Sequence, residues 1–95
     1  MRILIVEDEK KVSAFIKKGL EEETYAVDIA VDGEEGLLFG EQNQYDLIIL
    51  DLMLPKVDGL EVLSILRDRK IETPILLLTA KDSVEDKVTG LNKGA

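Results

Sequence analysis

A doubly wound, parallel α/β sheet is the fold class this sequence predicts, and three observations carry the prediction. Continuous apolar runs recur at residues 3–6, 47–50 and 75–78, the length and composition of strands buried on both faces. Between them lie stretches with apolar residues at helical spacing. Strand-like and helix-like stretches then alternate along the whole chain, the signature of βα units joined by right-handed crossovers.

In order, Ile3, Leu4, Ile5 and Val6 form the first strand, which ends in Glu7, Asp8 and Glu9. Val12, Phe15, Ile16 and Leu20 mark the inner face of a first helix, with Lys10, Lys11, Lys17 and Lys18 on the wet side. Asp8 or Glu9 sits near its start, where the helix dipole favours negative charge. Residues 25–30 alternate, with Val27 and Ile29 pointing one way, as in a strand nearer a sheet edge. Asp32-Gly33 reads as a turn, and residues 34–42 as a short helix whose Gly36 and Gly40 suit close packing on a sheet.

The third strand delivers Asp51 at its carboxyl end. Pro55 stops it, and Asp58-Gly59 reads as the turn before a third helix carrying Leu60, Val62, Leu63, Ile65 and Leu66. Arg67, Arg69 and Lys70 suit that helix's C-terminus, and Thr73-Pro74 breaks any continuation. The fourth strand ends at Thr79. A fourth helix is predicted from Ser83, a candidate N-cap, with Val84, Val88 and Leu91 inward. Without repeats, low-complexity tracts or linkers, residues 1–95 read as one domain.

Composition closes several functional classes. A net charge of -8 repels phosphate backbones and anionic lipid, so direct nucleic-acid binding by this chain is not expected. With no cysteine there is no disulfide or thiolate metal site, and with no histidine no imidazole mechanism. Neither an h-region nor a run long enough to span a bilayer is present, so a cytoplasmic protein without membrane contact is the expectation.

The remaining chemistry is carboxylate, lysine and hydroxyl, and its placement is informative. Glu7, Asp8, Asp51 and Thr79 each follow an apolar strand, so three strands bring them to one edge of the sheet, where open α/β folds bind ligands. Carboxylates that converge repel one another and ask for a cation. An all-oxygen site suits magnesium, which keeps several waters and commonly partners a phosphate. The plainer alternative, that Glu7, Asp8 and Glu9 only cap a helix, leaves Asp51 unexplained.

The stretches VEDE, LDLMLPKVDG and PILLLTAKD together resemble the receiver domain of two-component response regulators, and the wording is most similar to the OmpR/PhoB-like subgroup. The resemblance covers the whole chain. It implies a flavodoxin-like sheet of strand order 2-1-3-4 in these residues, with Asp51 as the phosphoacceptor served by a sensor histidine kinase. It further implies Mg²⁺, with Mn²⁺ as a substitute, held by Glu7, Asp8, Asp51 and the Met53 backbone carbonyl. Thr79 matches the switch hydroxyl, and Lys87 the basic position on a dimerisation face. In the parent protein the output would be a winged-helix transcriptional regulator.

The family pattern continues into a fifth strand, with its phosphate-binding lysine, and a fifth helix. The expectation here is therefore of a C-terminally incomplete receiver that phosphorylates poorly and self-associates through its open fourth strand. Lys56 and Lys81 are loop lysines that could approach Asp51 instead. One alternative function is a pseudo-receiver acting as a phosphorylation-independent protein-interaction module. A haloacid-dehalogenase-like phosphatase would want an acid where Met53 stands, and a dinucleotide-binding domain a glycine-rich turn where Glu7-Asp8-Glu9 stands.

Overall fold

The computed structural model describes residues 1–78. In chain order it contains β1 (Arg2–Val6), α1 (Lys10–Glu22), β2 (Ala26–Ala30), α2 (Gly33–Gln42), β3 (Leu47–Asp51), α3 (Gly59–Asp68) and β4 (Ile75–Leu78). Every strand pair is parallel and the sheet order is β2-β1-β3-β4. The expected fold class and strand order are thus observed, with β2 at an edge. The anticipated fourth helix, together with Thr79, Lys81 and Lys87, lies outside the described residues.

The two-residue period of the strands sorts their side chains onto two faces. Leu4, Val6, Ile48, Leu50, Ile75 and Leu77 point to the side covered by α2 and α3, where they pack with Val62, Leu63 and Leu66. Ile3, Ile5, Val27 and Ile49 point the other way, against Ile16 and Leu20 of α1. Burying each such side chain stabilises the fold by about 1.5–3 kcal/mol relative to leaving it in water. At the amino edge, the Tyr45 hydroxyl donates to Asp28 Oδ2 at 2.7 Å and the Arg2 guanidinium bonds the same oxygen at 2.8 Å. The Arg2 guanidinium also stacks 5.1 Å from the centre of the Tyr45 ring. Burial and the Asp28 carboxylate push the Tyr45 hydroxyl up to about 12.

Two expectations about the helices are corrected. Phe15 is not on the inner face of α1: it is 80% exposed, while Ser13 is buried and donates to the Lys10 carbonyl at 3.2 Å. At about 100° per residue, Ser13, Ile16 and Leu20 form one stripe and Phe15 falls opposite it. The small serine lets the helix lie close to the sheet, which decides the stripe over the bulkier choice.

The second correction concerns Asp32-Gly33 and Asp58-Gly59, which are helix starts rather than free turns. The Asp32 carboxylate accepts from the Glu35 N–H at 2.8 Å, and that of Asp58 from the Glu61 N–H at 3.0 Å. Both are N-caps. The third helix also ends before Thr73-Pro74 is reached. Ile71 N–H bonds Leu66 O and Lys70 N–H bonds Arg67 O, with Lys70 at a φ of 61°. That is a Schellman closure, and it is repeated after α1 with Thr24 at a φ of 70°.

Helix α2 reaches the sheet through its glycines. An added Cβ at Gly36 would lie 2.8 Å from Val6 Cγ1, whereas at Gly19, in the middle of α1, it would meet nothing within 4 Å. Val6 is fully buried and has nowhere to move. Gly36→Ala is therefore expected to destabilise the domain by about 1–3 kcal/mol. Gly19→Ala should stabilise it by about 0.5–1 kcal/mol. Urea melts of the two variants decide this, and equal effects would mean that α2 does not sit closely on β1.

Candidate functional site

Strands β1 and β3 are neighbours in parallel register, with Val6 opposite Leu50. The residues that follow, Glu7 and Asp51, therefore emerge side by side at the carboxyl edge of the sheet, and Asp8 comes with them. One carboxylate oxygen from each of Glu7, Asp8 and Asp51 lies within 4.8 Å of the others. Glu7 and Asp51 are only 6% and 7% exposed, while Asp8 faces solvent.

Backbone donors orient the two buried acids. The Glu9 N–H donates to Glu7 Oε1 at 3.0 Å, and the Met53 N–H to Asp51 Oδ1 at 3.1 Å. Burial, and then the neighbouring Asp51, push the Glu7 carboxyl up to about 7. The idea that these acids merely cap α1 does not survive the geometry. Its N-cap, Glu9, makes no side-chain capping bond, and Glu7 is turned into the sheet edge. Three convergent hard oxygen donors, one of them holding its proton to near neutrality, are a donor set that fits a small divalent cation.

The loop after β3 is built tightly against that strand. The Leu52 N–H bonds Leu78 O at 2.9 Å and the Gly59 N–H bonds Leu52 O at 3.1 Å, so the loop closes on itself at its base. A Cβ on Gly59 would stand 2.2 Å from the Asp51 carbonyl oxygen, a contact only glycine permits. At the far end, Lys56 has a φ of 70°, and the Val57 N–H bonds the Pro55 carbonyl across it at 2.9 Å. Bonds spanning three residues in this way define a γ-turn, and with positive φ at the centre it is the rarer, strained hand.

Most of the sequence-predicted site residues come together here. Glu7, Asp8 and Asp51 form the cluster, and Met53, two residues after Asp51, is 67% exposed. Asp51 is in register with Leu78, the last described residue. Of the two loop lysines that could approach Asp51, Lys56 pairs elsewhere. Its ammonium sits 3.5 Å from Asp32 Oδ2 and 3.9 Å from Glu34 Oε2.

The positions that sequence reasoning missed are Gly33 and Gly59, whose close backbone contacts seat the loop, and Asp58, which starts α3. A signal was present. Asp32 with Glu35, and Asp58 with Glu61, carry the acid-and-glutamate spacing of a helix N-terminus.

Comparison with known proteins agrees with this geometry. The response regulator receiver domain family matches residues 3–95. The transcriptional regulatory protein PcoR of Escherichia coli is 53% identical over 94 residues, covering 99% of this chain and 42% of PcoR. The chain thus spans well under half the length of that curated relative. Among solved structures, a Francisella response regulator receiver domain superposes with a TM-score of 0.88 at 41% identity, covering 99% of this chain and 78% of that one. Response regulator TrrA of Thermotoga maritima, crystallised in complex with Mg²⁺ and BeF, gives a TM-score of 0.80 at 43% identity over 85% of this chain and 70% of its own. Among the described residues no helix is long and apolar enough to cross a membrane. With its sheet order, its acid cluster and these likenesses in agreement, the chain belongs to the receiver-domain family of two-component response regulators.

Proposed function

We propose that this chain is the phosphoacceptor of a two-component pathway, taking a phosphoryl group onto Asp51 from the phosphohistidine of a sensor kinase. Carrying this reading is the convergence of Glu7, Asp8 and Asp51 within 4.8 Å at the carboxyl edge of the sheet. Mutual repulsion makes that cluster costly to hold without a cation, and the carboxylates with the Met53 carbonyl would hold Mg²⁺, or Mn²⁺ in its place. A relative crystallised with Mg²⁺ and BeF supports the same assignment.

When bound, the cation supplies positive charge that offsets the carboxylates and the oxygens of the transferring phosphoryl group. Asp51 Oδ1 is already fixed by the Met53 N–H, which orients the carboxylate and sets the direction in which its other oxygen presents. That oxygen attacks phosphorus as the bond to the kinase imidazole nitrogen breaks, and the electron pair leaves with the nitrogen. The reaction asks the protein for positioning and charge compensation rather than covalent assistance, and the rigid β3 edge meets that demand.

The added negative charge then draws in a hydroxyl donor and shifts a pre-existing equilibrium, a role assigned here to Thr79. The consequences would pass to a partner copy through a face that includes Lys87, and to a DNA-binding output region of a longer cytoplasmic protein. Residues 1–95 would belong to the receiver part of that protein.

Two measurements test the reading. Incubated with acetyl phosphate and Mg²⁺, the protein should gain the mass of one phosphoryl group, and Asp51→Asn or addition of a chelator should abolish the gain. Retention of the label in Asp51→Asn would remove Asp51 from the role of acceptor.

The second measurement concerns pH. Because the folded protein raises Glu7 from 4.5 to about 7, it holds a proton that the unfolded chain has released. The resulting stabilisation is complete below the unfolded value and is lost as pH rises through about 7. Metal-free protein should therefore resist urea less at pH 8 than at pH 6, and Mg²⁺ should oppose the loss because it binds the ionised carboxylate. Glu7→Gln should flatten the metal-free dependence. An unchanged pH profile in that variant would assign the effect to other groups.

A further inference from the structure

The acceptor loop is seated on a neighbouring helix start that takes no part in the chemistry. Gly33, the first residue of α2, lies so close to the loop that an added Cβ would stand 2.1 Å from the Val57 carbonyl oxygen and 2.8 Å from Val57 Cβ. One residue earlier in the loop, the Lys56 ammonium is 3.5 Å from Asp32 Oδ2 and 3.9 Å from Glu34 Oε2, both in the first turn region of the same helix. Lys56 also occupies the strained centre of the γ-turn, a conformation that persists only when its surroundings over-determine it. At its base, the loop is closed by the Gly59–Leu52 bond and by Met53 N–H to Asp51 Oδ1.

Given these contacts, we propose that Gly33 and Lys56 are positioning residues for the phosphoacceptor site: by clamping the tip of the β3–α3 loop to the start of α2, they hold Met53 in the geometry that orients Asp51 and presents the Met53 carbonyl. This rests on the assignment of Asp51 and its metal made above. The clamp has two independent parts. Gly33 provides a steric seat, since any side chain there would push the Val57 backbone off α2. Lys56 provides the electrostatic tie, and its direction matters. A lysine that acted on the site merely through its charge would weaken cation binding, so its removal would tighten binding. A lysine that positions the loop has the opposite sign: its removal loosens the loop and weakens binding.

The experiment reads the loop without metal first. In metal-free protein, exchange of the Met53 amide reports the Met53–Asp51 bond directly. Lys56→Gln should speed that exchange by about two- to fivefold, the range an exposed ion pair supports, Lys56→Arg should restore it, and Gly19→Ala should leave it unchanged. Gly33→Ala should abolish the protection while the sheet amides keep theirs. Mn²⁺ titration then gives the second readout, with weaker binding expected in Lys56→Gln and in Gly33→Ala. Wild-type Met53 exchange in Lys56→Gln, or tighter Mn²⁺ binding by it, overturns the proposal. Should Gly33→Ala fail to fold, the Lys56 variants decide alone. Loss of Mn²⁺ binding in Asp51→Asn reports on the underlying site assignment, whereas metal-free Met53 exchange reports on the clamp, so failure of one is distinguishable from failure of the other.

Discussion

Three carboxyl groups, each with an oxygen within 4.8 Å of the others at the end of a buried sheet, are the constraint from which the rest of this structure follows. Such a cluster is unfavourable in itself, and it persists because the strands that carry it have no freedom to separate. Val6 and Leu50, in register and almost fully buried, fix Glu7 beside Asp51. A slip of one residue would turn every core side chain of one strand to the opposite face, so the apolar pattern that builds the core also locks the acids together. Burial at the sheet edge, and then the neighbouring Asp51, leave Glu7 keeping a proton to near neutrality.

Around this edge, close backbone contacts replace side-chain packing. Gly36 lets α2 rest on Val6, Gly59 brings the start of α3 against the Asp51 carbonyl, and Gly33 admits the Val57 carbonyl at the start of α2. In each case a methyl group would occupy space already taken, so the helices and the acceptor loop form a single packed unit with β3. The strained turn at Lys56 belongs to the same unit and is tolerated because both of its flanks are held. In the proposed function, positioning of Asp51 is therefore distributed over β3, its loop and the starts of two helices.

An acid cluster built this way is also suited to switching. On the described side β1 and β3 are paired in register, and the loop is tied by the Leu52, Met53, Val57 and Gly59 amides. In the proposed function, the response to charge added at Asp51 is passed toward β4, whose last described residue is in register with Asp51.

The sequence by itself determined the elements and the chemistry. Uninterrupted apolar runs pointed to buried strands, and acids directly after two of them pointed to the carboxyl edge of a parallel sheet, so the grouping of Glu7, Asp8 and Asp51 was legible without coordinates. What it could not determine was which of several compatible contacts would win. The helical spacing of α1 admitted Phe15 as well as Ile16 and Leu20, and only the packing of the helix on the sheet chose a stripe through the small Ser13 and turned Phe15 outward. Asp-Gly pairs are equally good turns and helix starts, and the choice at Asp32 and Asp58 depended on amides that fold into reach. Lys56 had acids on several sides in the sequence; tertiary structure gave it Asp32 and Glu34 because the loop carries it to α2. Periodicity and composition are local properties of the chain, whereas partner choice is a matter of distance in space, and distance is decided only once the sheet and its helices have packed.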